Sequence, residues 1–169
     1  MRWISNVADD AFWRTKSLDE LTGEEWEALC DGCAQCCQLK LEDEDTGRVG
    51  CTNVTCQLLD LDTCQCTHYE ERHVRVPDCI EFDAKAVAAL HWLPQTCAYR
   101  LRAEGRELMW WHYLVSGDRS TVHRAGISVR GRVTSEAHVH PDEMEDRIVH
   151  WIEPRQMEQK QAEPKRSTD

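Results

Sequence analysis

A chain of 169 residues can build one domain with a real core, and its 41% hydrophobic content lies slightly below the globular norm. The formal charge of -11 would repel phosphate backbones overall, which argues against general nucleic-acid binding. Met1 to Asp10 hold no hydrophobic run of signal-peptide length, and no stretch approaches the roughly 20 apolar residues of a membrane span, so a cytoplasmic protein without membrane contact is expected.

Trp3, Val7, Phe12 and Trp13 have loosely helical spacing, which suits a helical arm over residues 1–16. Thr22-Gly23-Glu24-Glu25 reads as a capping box, with Leu21 and Trp26 as its hydrophobic staple. The helix it opens should run to about Leu29 and deliver Cys30 at its end, with Gly32 in the turn that follows. Leu39 to Gly50 has hairpin character around Asp45-Thr46-Gly47. The acids there do not meet EF-hand spacing, so they read as a solvated turn.

Residues 51–79 show almost no regular period, and ligation rather than a conventional core should fix them. Asp83 can cap a helix running through Trp92 to a stop at Pro94, and Thr96 can cap a second from Cys97 to Glu104, ended by Gly105. Leu108 to Val115 and Thr121 to Val133 suggest two or three strands. Arg124, Arg130 and Arg132 read as the solvated side of one of them. Pro141 to about Trp151 reads as a helix with Pro at its first position and Met144, Ile148 and Trp151 on one face. Residues 154–169 are charged, nearly free of aliphatics and expected to be disordered. Seven Trp against two Phe suggest that several indoles frame the surface of a small core. Together these elements describe a small single α+β domain over 17–153, with short helices, a small antiparallel sheet and a loop-rich cysteine-metal centre.

All ten cysteines fall before residue 98, and Cys30, Cys33, Cys36 and Cys37 occupy eight consecutive positions. In a reducing compartment such density points to metal rather than disulfides. A Cys-x-x-Cys turn lets two thiolates converge on zinc or on an iron–sulfur cluster. The three-thiol run Cys30-x-x-Cys33-x-x-Cys36 is what cubane ferredoxins use before a remote fourth ligand, which favours iron, most simply a 4Fe-4S cluster, with Zn2+ as the alternative. Neighbouring side chains normally diverge, so Cys36 and Cys37 should serve different sites. A dithiol redox enzyme is a further alternative, although the thioredoxin setting places its pair at a helix N-terminus, and here a helix precedes Cys30. His112, within Trp110-Trp111-His112-Tyr113, is a candidate additional ligand or a group supporting one; His138, His140 and His150 lie far along the chain. No serine or cysteine triad pattern, P-loop or dinucleotide fingerprint is present.

Cys30-Asp-Gly-Cys-Ala-Gln-Cys-Cys37, Thr52-Asn-Val-Thr-Cys56, Thr63-Cys-Gln-Cys66, Pro77-Asp-Cys79, Trp92-Leu-Pro-Gln-Thr-Cys97-Ala-Tyr-Arg100 and Ile127-Ser-Val-Arg130 resemble the YcgN-type cysteine-cluster proteins, a branch of the wider YkgJ-type zinc- or iron-chelating family. The resemblance covers about residues 12 to 152. It implies metal chelation and matches Cys30, Cys33, Cys36, Cys37, Cys56, Cys64, Cys66, Cys79 and Cys97 to the family pattern. A similar motif in a flagellin lysine methylase associated with an iron–sulfur cluster agrees with iron by analogy. Cys51 falls where relatives tend to carry an aromatic residue, so it is expected to be a spare thiol. Ala34 replaces a usual Gly, which questions a positive φ there, and Tyr113 replaces the Pro expected after the Trp-His pair. The expected function is metal binding with a redox or metal-handling role. A zinc-stabilised interaction module is the alternative from another class.

Overall fold

The computed structural model describes residues 11–153. The expected arm over residues 1–16 lies outside them except for its last turn, helix α1 (Phe12–Thr15), and the charged tail lies outside them altogether. No helix among the described residues is long and apolar enough to cross a membrane.

Helix α2 (Gly23–Leu29) begins where the capping box places it: the Glu25 N–H donates to Thr22 Oγ1 at 3.2 Å, and the Thr22 N–H donates to Glu25 Oε2 at 2.9 Å. Strands β1 (Gln38–Glu42) and β2 (Val49–Thr55) form the expected antiparallel hairpin. Its turn is pinned by Asp43 Oδ1, which accepts from the N–H groups of Asp45 and Thr46, and Gly47 supplies the φ of 70° that closes it. Strand β2 runs through Cys51 to Thr55, so the loop-rich stretch begins at Cys56 rather than at 51. Strands β3 (Leu59–Asp60) and β4 (Gln65–Cys66) form a second, minimal ladder, and a short helix α3 follows (Arg72–Arg75).

Helix α4 (Ala84–Ala89) is capped by Asp83 as expected but ends before Trp92. Helix α5 (Ala98–Ala103) is preceded by Cys97, not Thr96, at its cap position. Leu29, Val87, Leu93, Ala98, Tyr99 and Leu108 pack with Phe12 and Trp13 into the main core. Burial of such side chains is worth about 1.5–3 kcal/mol each. Two indoles are buried (Trp13, Trp111), and Trp110 and Trp151 are exposed at the rim.

The strands expected over 108–133 are absent; short helices α6 (Tyr113–Ser116) and α7 (Thr121–Arg124) stand there. His112 Nδ1 accepts the Leu114 N–H and starts the first turn, while Asp118 Oδ1 accepts the Ser120 N–H ahead of the second. Gly117, Gly126 and Gly131, all with φ above 70°, then turn the chain before an extended run can form. The nearest strand is β5 (Thr134–Ser135), parallel to the end of β2.

The helix expected from Pro141 is likewise replaced. Two 3-10 turns (Pro141–Glu143 and Glu145–Arg147) lead into strand β6 (Ile148–Ile152), antiparallel to β2. Pairing the open edge of β2 outweighs the helical spacing of Met144, Ile148 and Trp151. Gly50 permits the close fit, since a Cβ there would lie 2.7 Å from Ile148 Cδ1. Strand β2 is thus the centre of a four-stranded sheet in an α+β domain.

Candidate metal centre

The cysteine-rich segment is a series of turns, each with a local cause. Cys30 caps the C-terminus of α2, and Gly32, with φ 79°, reverses the chain. Asp31 Oδ1 accepts the Cys33 N–H at 3.0 Å, an Asx turn that fixes the first pair of thiols. Ala34 has φ 59°, so the positive φ of this turn is required even without Gly, and a 3-10 turn (Gln35–Cys37) follows. The segment is anchored from outside: the Val129 N–H donates to the Cys33 carbonyl at 3.0 Å, Gln35 Nε2 to the Ile127 carbonyl at 2.8 Å, and the Cys56 N–H to the Cys37 carbonyl at 3.0 Å.

All ten cysteines are free of disulfides. Those that bear on one another form two quartets that overlap at Cys36, which acts on Cys30, Cys33 and Cys97 and also on Cys37 and Cys79. Burial pushes the Cys30 thiol well above its ordinary value, with further upward pressure from Asp31 and from the sulfurs of Cys36 and Cys97. Cys33 is raised by burial, then by Asp31, Cys36 and Cys30. Burial carries Cys97 to about 11, with Cys36 among the neighbours that raise it. The second quartet is coupled in the same way. Burial raises Cys56 and Cys79; Cys66 adds to both, and Cys56 adds to Cys79. Cys37 is raised by its hydrogen bond to Cys36 and by burial, with Cys56 and Cys79 as further causes.

The quartets meet at Cys36 and Cys37. A 3-10 turn holds them, and the Cys37 thiol acts on Cys36 as a hydrogen-bond donor. That bond, helped by the Lys40 ammonium, draws Cys36 down to about 7. Backbone N–H groups also face the sulfurs, from Gly32 to Cys30 Sγ at 3.4 Å and from Leu58 to Cys56 Sγ at 3.5 Å. Such bonds stabilise thiolates and tune metal–thiolate sites.

Cys64 and Cys51 are not among the thiols that raise the quartet members, although Cys37 packs against the small core that holds Cys64. Cys64, buried with φ 57°, is hydrogen-bonded by Ser128, whose hydroxyl lies 2.7 Å from His123 Nδ1; it packs with Ala34, Leu59 and Val129 in a small second core. Cys51 is buried within β2 opposite Lys40. His112 has both ring nitrogens engaged, since Nδ1 accepts from Leu114 and Nε2 therefore donates to the Leu29 carbonyl at 2.8 Å. It fixes the end of α2 one residue before Cys30. Sequence reasoning missed Asp31 and Lys40, the two charges nearest the first quartet. Asp31 was visible only as an Asx-turn residue inside the Cys-x-x-Cys pair.

Among the described residues, no three His, Cys, Asp or Glu side chains converge tightly enough to hold one metal ion. A single tetrahedral ion needs sulfurs roughly 3.7 Å apart, as bonds of about 2.3 Å dictate.

Ten cysteines free of disulfides, several of them desolvated and bearing on one another, suit a metal-chelating cysteine-cluster domain, since a bound cation would favour their thiolates. Residues 29–98, which contain all ten cysteines, match the CxxCxxCC model described as a "putative zinc- or iron-chelating domain". A UPF0260 protein of Agrobacterium fabrum is 61% identical over 143 residues, covering 85% of this chain and 88% of its own length. Others of Sinorhizobium fredii (55% over 145 residues, 86% and 94% covered) and Marinobacter nauticus (54% over 146 residues, 86% and 99% covered) are similarly close. The chain belongs to the UPF0260 family. No solved structure matches it.

Proposed function

We propose that the chain is an iron–sulfur protein with two four-thiolate sites and a redox role. Cys30, Cys33, Cys36 and Cys97 form one ligand set; Cys37, Cys56, Cys66 and Cys79 form the other. What supports this reading is the three-thiol run Cys30-x-x-Cys33-x-x-Cys36, the spacing of cubane ferredoxins, beside two overlapping groups of thiols that raise one another. A cubane spreads its four thiolates over four irons, so its ligands would stand roughly 6–7 Å apart, where a single zinc ion would draw them to about 3.7 Å. The N–H groups facing Cys30 and Cys56 suit a cluster for the same reason, because bonds to sulfur help set cluster potentials. When bound, such clusters supply one-electron transfer. The protein's part is to bury the first set, exclude water from it and place Lys40 near its charge.

Anaerobic purification followed by iron, zinc and acid-labile sulfide analysis tests this. The expected result is a brown protein with about eight irons and eight sulfides per chain. Colourless protein that keeps stoichiometric zinc after anaerobic reconstitution with iron and sulfide overturns it in favour of a zinc-stabilised module.

A further inference from the structure

Next to the first quartet, on the other side of the Gln35–Cys37 turn, lies a cleft of about 460 Å³, within the range of small-molecule sites. It is bounded by the sheet, the loop between α4 and α5, and β6. Lys40, Cys51, His91, Trp92, Arg100 and Trp151 line it.

Its polar groups are built in rather than incidental. Lys40 Nζ donates to the Gln38 carbonyl at 2.7 Å and the Gln35 carbonyl at 3.2 Å, and sits 4.4 Å from the Trp92 ring centroid. Two of its three ammonium protons are thereby used, and no carboxylate pairs with it among the described residues. Arg100 holds the loop by donating to the carbonyls of His91 and Leu93. His91 Nε2 is buried without any partner, a costly state unless something else meets it. The lining carboxylate Glu153 is already answered by Arg48 at 2.8 Å. Arg100 is itself paired with Glu104 at 2.9 Å, so Lys40 is the cation of this cleft that no carboxylate answers among the described residues, in a chain of net charge -11.

The geometry points to a binding site for a small organic carboxylate, with its carboxylate met by Lys40 and His91 Nε2 and its apolar body between Trp92 and Trp151. This goes beyond the cluster reading and does not depend on which metal is bound.

Benzoate, benzyl alcohol and phenyl phosphate, titrated into the metal-loaded full chain and followed by calorimetry and ligand-observed NMR, test the inference. Benzoate should saturate one site, with the neutral alcohol and the Lys40→Met variant each weaker by about tenfold, the worth of one charge-assisted hydrogen bond. Trp151→Ala, at an exposed wall that does not threaten the fold, should weaken benzoate severalfold. Equal binding of benzoate and benzyl alcohol, absence of saturation, or unchanged affinity in Trp151→Ala overturns the site. Tighter binding of phenyl phosphate overturns the carboxylate in favour of a phosphate. Should Lys40→Met not fold, the alcohol comparison and Trp151→Ala decide. Metal content is measured alongside in each variant, because Lys40 also faces the first quartet: failure of the cluster reading shows there, and failure of this site shows in the alcohol comparison and Trp151→Ala.

Discussion

The two thiol quartets rest on different foundations. In the first, Cys30 ends α2 and Cys97 precedes α5, and both pack against the main core of Leu29, Val87, Leu93 and Tyr99. In the second, Cys56, Cys66 and Cys79 lie in turns and a two-residue ladder beside a core of only Ala34, Leu59, Cys64 and Val129. Desolvation raises Cys30 and Cys33 well above the ordinary thiol and Cys56 and Cys79 less, while Cys37, at the junction, is as deeply placed as the first set. A conventional fold therefore positions the first site in advance. On the two-site reading, the second has too little apolar burial to hold its shape unless bound metal supplies the missing free energy.

Metal withdrawal should expose this difference most strongly. In the apo chain the amides of Leu59, Thr67 and Cys79, whose bonds lie within the second region, should lose hydrogen-exchange protection by about a thousandfold or more. Those of Val87 and Leu101, in α4 and α5, should keep most of theirs. Uniform loss across both regions would break the distinction.

Next in size is the effect of single ligands. Cys97→Ser and Cys66→Ser should each remove about half of the bound metal, and the pair together nearly all, read by elemental analysis of anaerobically prepared protein. Complete loss from either single variant would mean one joint centre across Cys36 and Cys37. Cys64→Ser and Cys51→Ser should retain the full complement, because neither sulfur couples to a quartet.

Much of this was legible in the sequence where a local interaction decides the outcome. Thr22 and Glu25 cap α2 with their own side chains, Asp83 caps α4, and Gly47 closes the β1–β2 turn. Thiol spacing also announced metal chemistry, which depends on ligand type more than on fold. What could not be read was decided by distant partners. Ile148 to Ile152 carry a helical pattern but pair with β2, and nothing local reports that β2 has an open edge. Cys64 matches the same motif as its neighbours, yet part of the core around it comes from Val129, 65 positions later. Likewise Cys97 joins the first quartet only because α5 packs back on α2, where the Tyr99 hydroxyl donates to the Trp26 carbonyl at 2.7 Å.

A smaller effect concerns the support of the first site. His112→Ala removes the donor to the buried Leu29 carbonyl and a fully packed ring, and should cost about 3 kcal/mol in denaturant unfolding without changing metal content. Loss of metal in this variant would make His112 a ligand instead. Burial holds the folded imidazole below the usual 6.5, whereas the unfolded one gains its proton near that value. The native chain should therefore lose stability as pH falls from about 6.5 towards the depressed folded value, and the difference from His112→Ala should shrink over that window.

The smallest effect sharpens the second region, because opposing contributions nearly cancel in it. Ala34 sits at φ 59°, a conformation that costs a non-glycine residue roughly 1–2 kcal/mol. Ala34→Gly relieves that strain but exposes a vacancy where the methyl, in a residue only 7% accessible, packs on Leu59 and Val129; that loss is about 0.8 kcal/mol. The greater freedom of glycine in the unfolded chain subtracts about 0.4–1 kcal/mol more. The expected change is within about 1 kcal/mol of zero, measured on the metal-loaded protein, with metal content unchanged. Destabilisation beyond about 2 kcal/mol would show that the methyl contacts of the four-residue core carry far more of the second region's stability than its size suggests, and metal correspondingly less.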